Sequence, residues 1–313
     1  MRHMLLKRLL SIIPVMLTVL VLIFMLLHIG SGDPAALMAG ANASTEQIEA
    51  IRTSLNLDKP LLEQFWIYAS DVMRFDLGRS ISSNRPVSWL IAQRIEPSLV
   101  LALTTIVMSV LIAVPVGVLS AWRAGTVIDR ALSLFSVASF SVPIFVVGYV
   151  LVHIFSMQLQ WFPVQGYQPL ANGWLACLQS IALPSLALSL MFSALVARIT
   201  RASMLEVLAE DYIRTARAKG ADDARILLVH AIKNVGVPVI TVIGTSFAVL
   251  LGGVVITESV FNIPGMGRLT VDAIMTRDYP VVQGVMLVFS AVLICVNLLV
   301  DLSYPLFDPR VKQ

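Results

Sequence analysis

Residues 131–197 read ALSLFSVASFSVPIFVVGYVLVHIFSMQLQWFPVQGYQPLANGWLACLQSIALPSLALSLMFSALVA, 67 residues without an Asp, Glu, Lys or Arg. One helix of that length would measure about 100 Å at 1.5 Å per residue, three times the ~30 Å hydrocarbon core of a bilayer. The stretch therefore predicts two membrane crossings and a turn. The turn is written in its middle: Trp161, Pro163, Gly166, Tyr167, Pro169, Asn172, Gly173 and Trp174. Proline and glycine break helices, and Trp and Tyr favour the headgroup level. Four more runs without charge lie at 9–32, 97–122, 234–257 and 279–300. Together they predict six spans, at about 9–29, 99–121, 132–157, 178–197, 235–257 and 281–301.

Composition agrees. Of 313 residues, 58% are apolar and 13% charged, against about 25% charged in a soluble domain. Mean hydropathy is +0.86. These values exclude a soluble enzyme and a disordered chain. A net charge of +3 leaves no electrostatic footprint for nucleic acid. Cys177 and Cys295 sit in apolar text without metal-ligand spacing and read as small buried residues. The basic start (Arg2, Lys7, Arg8) and Ala41-Asn42-Ala43 imitate a signal peptide. The first apolar stretch is too long for one, so the reading is a retained span.

Lys and Arg placement sets the orientation. Segments 1–8, 122–130, 198–233 and 302–313 carry 3, 2, 7 and 2 basic residues, whereas the loops 158–177 and 258–280 carry 0 and 2. Both termini and the 198–233 loop are expected in the cytoplasm. The expected organisation is a tail and first span (1–32), an outer region of amphipathic helices (33–96), a five-helix core (97–303) and a cytoplasmic tail (304–313). In the outer region Ser44 and Gln47 have capping-box spacing. Pro60 fits a helix start, Phe65, Trp66, Ala69 and Met73 form one stripe, and Asp76-Leu77-Gly78 closes it.

The loop 198–233 is too long for a connector and is patterned. Leu205, Leu208, Tyr212 and Ala216 recur at helical spacing. Glu206, Glu210 and Asp211 precede Arg217 and Lys219, an order that opposes the helix dipole. Gly220 fits a left-handed helix end and Asp222 the cap of a second helix. Periodicity alone leaves two readings open: a handle for a partner protein, or an interfacial helix lying on lipid.

The string Glu210-Asp211-Tyr212-Ile213-Arg214-Thr215-Ala216-Arg217-Ala218-Lys219-Gly220 resembles the cytoplasmic loop of the membrane subunits of binding-protein-dependent ABC importers. It looks most like the dipeptide, oligopeptide and nickel branch, which also passes glutathione. Gly32-Asp33-Pro34, Leu57-Asp58-Lys59-Pro60-Leu61, Asp76-Leu77-Gly78, the stretch from Glu258-Ser259-Val260-Phe261 through Asn262-Ile263-Pro264-Gly265-Met266-Gly267-Arg268-Leu269, and Arg277-Asp278-Tyr279-Pro280 match the same branch. Arg214-Thr215-Ala216 and Gly220 stand where the wider superfamily has Glu-Ala-Ala and Gly.

The resemblance implies an all-α, polytopic permease of the type I ABC importer kind in the bacterial inner membrane. It implies two separate ATPase subunits, a second homologous permease in a heterodimer, and a periplasmic substrate-binding protein. ATP-Mg would be bound by the ATPases and no cofactor by this chain. The chain itself has no Gly-rich Lys-Ser/Thr phosphate loop. Tyr212 and Ala216 would pack against the ATPase, Thr215 belongs to the same motif, Arg214, Arg217 and Lys219 would make polar contacts, and Gly220 would hold the turn. The outer region with loop 258–280 would receive the binding protein, with Arg268, Arg277 and Asp278 as exposed candidates.

Ionisable groups inside a membrane are functional candidates by default. Here they are His153, Glu258 at the outer end of the fifth span, Arg198 at the inner end of the fourth, and Asp301; packing or snorkelling is the plain alternative for each. Pro143, Pro184 and Pro238 can loosen their spans. A self-contained transporter or channel would want mid-span carboxylates for ion coupling, and the sequence has none. A membrane enzyme would want a cluster, and His3, His28, His153 and His230 are scattered.

Overall fold

The computed structural model describes residues 2–28, 33–40 and 43–307. Gly32, Ala41, Asn42 and the tail from residue 308 lie outside the described residues, as do the side chains of Arg2, Lys7 and Arg8. Among the described residues the regular elements are helical. They are α1 (Arg2–Leu26), α2 (Pro34–Ala39), α3 (Thr45–Ser54), α4 (Leu61–Met73), α5 (Val87–Trp122), α6 (Val127–Ser141), α7 (Ile144–Leu151), α8 (Trp174–Ala209), α9 (Asp211–Ala218), α10 (Asp223–Arg225), α11 (Ile232–Val260), α12 (Met266–Met275) and α13 (Tyr279–Phe307). Two π-helical turns, Val152–Gln158 and Ile226–Ala231, continue α7 and lead into α11.

Helices α5, α8, α11 (with the turn before it) and α13 are each long and apolar enough to cross a bilayer. Helix α1 is apolar over Leu10–Leu26, the short end of spanning length at about 17 residues. The remaining expected span is not one rod. Helices α6 and α7, which cover the span expected over 132–157, meet at 102°. The cause is Pro143, whose ring disfavours helical backbone at the preceding residue. Val142 is accordingly extended (φ −86°, ψ 127°).

Contacts divide the chain into two units, Met1–Glu96 with Gly265–Ile294, and Pro97–Pro264 with Cys295–Gln313.

In the first unit Val87 and Ile91 of α5 pack with Met266, Leu269 and Ala273 of α12 and with Val281, Val282 and Val285 of α13. This apolar seat explains why α5 begins at Val87, a dozen residues before the expected span. The capping box on α3 is present: Gln47 N–H donates to Ser44 Oγ (3.3 Å) and Ser44 N–H to Gln47 Oε1 (2.9 Å). Pro60 precedes α4 as its cap, one residue from the expected place. The buried face of α4 carries Gln64 and Ala69, while Trp66 and Met73 of the expected stripe are exposed. Gln64 is satisfied by Lys59 O (2.7 Å) and His28 Nε2 (3.0 Å), polar contacts that hydropathy could not foresee. Gly78 N–H donates to Asp76 Oδ1 (2.9 Å) in the turn that closes the region.

The second unit is built on α8. Its core joins Ala113, Val118 and Ala121 of α5, Val196, Ala197 and Met204 of α8, and Leu227, Ala231, Val235 and Val239 on the way into and along α11. A Cβ on Gly117 would lie 2.6 Å from Thr200 Cβ and 2.7 Å from the Ala197 carbonyl oxygen. The two backbones therefore meet with only a hydrogen between them, the small-residue contact expected of helices in lipid. The aromatic turn after α7 holds as expected: Trp161 and Trp174 are exposed, and Gly166 N–H donates to Phe261 O (2.9 Å). Cys177 is buried, but Cys295 is exposed, contrary to expectation.

Candidate functional site: the helix beneath α8

Helix α8 runs twelve residues beyond the expected end of its span, to Ala209. Glu210 is then extended (φ −69°, ψ 148°), and a new helix, α9, starts at Asp211. The single helix expected through Leu205, Leu208, Tyr212 and Ala216 is thus two. Leu205 and Leu208 belong to the α8 stem, where they pack on the core with Met204, and only Tyr212 and Ala216 lie on α9. The apolar repeat continues across the break because both helices need a buried face, so periodicity did not reveal the corner.

Ile213 is the anchor of α9. It is fully buried (0% exposed) while Tyr212 is 43% exposed, and α9 contacts both the α8 stem and the π-turn Ile226–Ala231. The stripe reading passed over Ile213. Tyr212 Oη accepts a hydrogen bond from Asn234 Nδ2 (2.9 Å), which also donates to His230 O (2.9 Å). This ties α9 to the first turn of α11.

The end of α9 is a Schellman motif. Ala221 N–H donates to Ala216 O (3.1 Å) and Gly220 N–H to Arg217 O (2.9 Å). These are the 6→1 and 5→2 bonds of that motif, which needs a left-handed residue at the glycine position. Gly220 has φ +84°. Asp222 then caps the next turn, accepting from Arg225 N–H (3.3 Å). Arg214, Thr215, Arg217 and Lys219 are exposed. Arg214 pairs with Asp211 one turn back, and Thr215 Oγ1 donates to Asp211 O (3.0 Å). The result is a two-turn helix, held at both ends and by one buried side chain, that presents a largely basic surface.

The α8 stem has a second fixture that the sequence reading missed. Arg201 donates from Nε to Asp129 Oδ1 (2.8 Å) and from a terminal nitrogen to Asp129 Oδ2 (2.8 Å), a bidentate pair. Ser120 Oγ and Gly125 N–H (2.9 Å) complete the carboxylate's partners. Asp129 stands three residues after Thr126, which caps α6. That spacing was the available signal, though nothing in it names Arg201.

Among the other candidates, His153 is exposed on the first π-turn, with Nε2 3.2 Å from Gln158 Nε2. Glu258 is 0% exposed at the end of α11, where Ser98 Oγ donates to it. Arg198 faces a cavity at the inner ends of α5, α6 and α8. Asp278, expected exposed, is buried. It accepts from Ser80 Oγ (2.6 Å), Ile81 N–H (3.1 Å), Ser82 N–H (3.2 Å) and Ser82 Oγ (2.8 Å), closing the turn before α5. Arg277 is exposed and Arg268 half-buried.

The chain matches the model of the binding-protein-dependent transport system inner membrane component over residues 113–313, and that of the N-terminal part of such membrane components over 1–102. It is 50% identical to the probable peptide ABC transporter permease protein y4tP of Sinorhizobium fredii, over 98% of each chain. It is 43% identical to the glutathione transport system permease protein GsiC of Escherichia coli, over 98% of this chain and 97% of that one. A chain of the MetNI methionine ABC transporter in an inward-facing conformation superposes with a TM-score of 0.59, covering 70% of this chain and 97% of the other at 15% identity. A second crystal form of that transporter gives 0.55.

Proposed function

The chain belongs to the family of binding-protein-dependent transport system inner membrane components, and from that premise we propose that α9 is the element on which ATP-hydrolysing subunits act. The protein is a multi-pass permease subunit of an ABC importer in the bacterial inner membrane, with the fold of type I importer permeases. The solute is a peptide or a peptide-like molecule such as glutathione, the cargo for which its relatives y4tP and GsiC are named. Two separate ATPase subunits bind ATP-Mg and hydrolyse it, since this sequence carries no phosphate loop of its own. A second, different permease completes the channel, and a soluble binding protein delivers solute to the outer region.

One observation carries this reading: α9 is seated by Ile213 and stiffened by the Gly220 turn, yet shows Tyr212, Arg214, Arg217 and Lys219 to the surroundings. A docked partner that moves such a helix moves it as a rigid body, and the displacement passes into α8 and α11. Tyr212 and Ala216 give the partner an apolar contact, and the three basic side chains give it charge. His153 is the residue through which a solute path is best tested, being ionisable and exposed at span level.

The experiment is Gly220→Val in the full transporter, reconstituted with its ATPases and binding protein. A β-branched residue at positive φ is strained, so ATP-driven uptake falls at least tenfold while insertion and ATP hydrolysis persist. Gly220→Asn, which tolerates the left-handed region, retains most of the uptake. Normal uptake in the valine variant ends the lever account.

A further inference from the structure

Beside the Asp129–Arg201 pair, at the inner ends of α5, α6 and α8, lies a cavity of about 290 Å³. Its polar wall consists of Ser120, Ser133, Ser136, Arg198 and Arg201; the remainder is apolar. Much of that wall is already committed. Arg201 and Ser120 donate to Asp129, and Ser136 Oγ donates to Leu132 O (3.0 Å). Arg198 and Ser133 make no side-chain hydrogen bond or ion pair with another described residue. The cavity therefore offers one uncommitted guanidinium and one uncommitted hydroxyl, with Asp129 already neutralised. Its charge complement is an anion.

Two further observations fix the kind of anion. Trp122 ends α5 two residues past Ser120, and the Arg123 guanidinium lies 4.5 Å over its ring. Trp with flanking Arg marks the headgroup level of a membrane. On α6, whose Val137 lines the cavity beside Ser133 and Ser136, the apolar side chains Leu134 (69%), Phe135 and Val137 are exposed. A polar head and apolar tails are thus matched by adjoining surfaces. Basic pockets between spans on the cytoplasmic side suit anionic lipid heads.

We propose that this cavity seats the phosphate head of an anionic phospholipid of the cytoplasmic leaflet, with Arg198 and Ser133 donating to its oxygens and the acyl chains lying along α6. The lipid bridges α6 to the α8 stem that carries α9. The proposal rests on the chain's membrane location and not on the identity of its solute.

The test uses the intact transporter, purified with its partner subunits in detergent. It is titrated with phosphatidylglycerol or phosphatidylcholine, and retained lipid is read by native mass spectrometry. Phosphatidylglycerol is expected to be retained about fivefold better, the ratio for one basic side chain near a membrane surface. Arg198→Gln brings that ratio close to one. Arg198→Lys keeps part of it, since a point charge replaces a fork, and Ser133→Ala lowers it less. Equal retention of the two lipids by the natural protein, or a ratio unmoved in both Arg198→Gln and Ser133→Ala, overturns the proposal. Displacement of the lipid by millimolar inorganic phosphate makes the cavity a free-anion site and overturns it too. Displacement by a transported peptide assigns the cavity to the solute path, with the same result. If Arg198→Gln fails to assemble, Ser133→Ala, which only removes an exposed hydroxyl, decides.

Discussion

Arg201 and Asp129 show how a single pair holds the α8 stem that carries α9. The carboxylate is buried and meets four donors, so removing the guanidinium leaves it without its charge partner. A fully buried pair broken on one side costs about 3–5 kcal/mol. Arg201 is a third exposed, so water offsets part of that, and Arg201→Gln is expected to cost about 2 kcal/mol. Thermal unfolding of the purified permease measures it. Replacing both partners together, Asp129→Leu with Arg201→Met, recovers most of the loss, because no charge is then stranded. A double variant as unstable as the single one contradicts this picture. At this scale the sequence was least legible. Asp278 was expected exposed and Asp129 drew no expectation, yet both are interior. Charge pattern records that a residue is ionisable but not which distant donor it meets.

The elements were largely legible, because a bilayer leaves helices as the way for this chain to cross it. The positions of four of the six expected spans, those within α5, α8, α11 and α13, follow directly from charge-free runs. Their ends do not, since a helix stops where packing stops and not where apolar text stops. Helices α5 and α8 both run past their expected spans on seats formed with other helices. The elbow at Pro143 was legible only as a weakness. Where α5 and α8 touch, Gly117 leaves no room for a side chain. Gly117→Ala must part the two helices by forcing a methyl against the Ala197 carbonyl and Thr200. The expected cost is about 1–3 kcal/mol, as in other overpacked cores, read as a lowered melting temperature. A melting temperature equal to that of the natural protein would show that the contact is looser than its geometry.

For the whole molecule, sidedness followed from Lys and Arg placement, and the family match agrees with a permease of the inner membrane. The assignment is checked with single cysteines in a Cys177→Ser, Cys295→Ser background. Lys219→Cys is expected to react with an impermeant maleimide only in inverted vesicles, and Met73→Cys only in intact spheroplasts. Labelling of both from one side would break the topology. Cargo and partners were not legible from physics at all. Periodicity left α9 suspended between a lipid surface and a protein groove, and only the family resemblance favoured the groove as an expectation.

The closure of the outer turn by Asp278 also sets an order of events during biogenesis. Ser80 and its acceptor are 198 residues apart, roughly 10–40 s of synthesis at ribosomal speed. Throughout that interval Ser80 and Ser82 lack their acceptor. The first region to emerge is therefore among the last to mature, and a nascent chain stalled before its final span stays marked as unfinished to any protease that patrols the far side of the membrane.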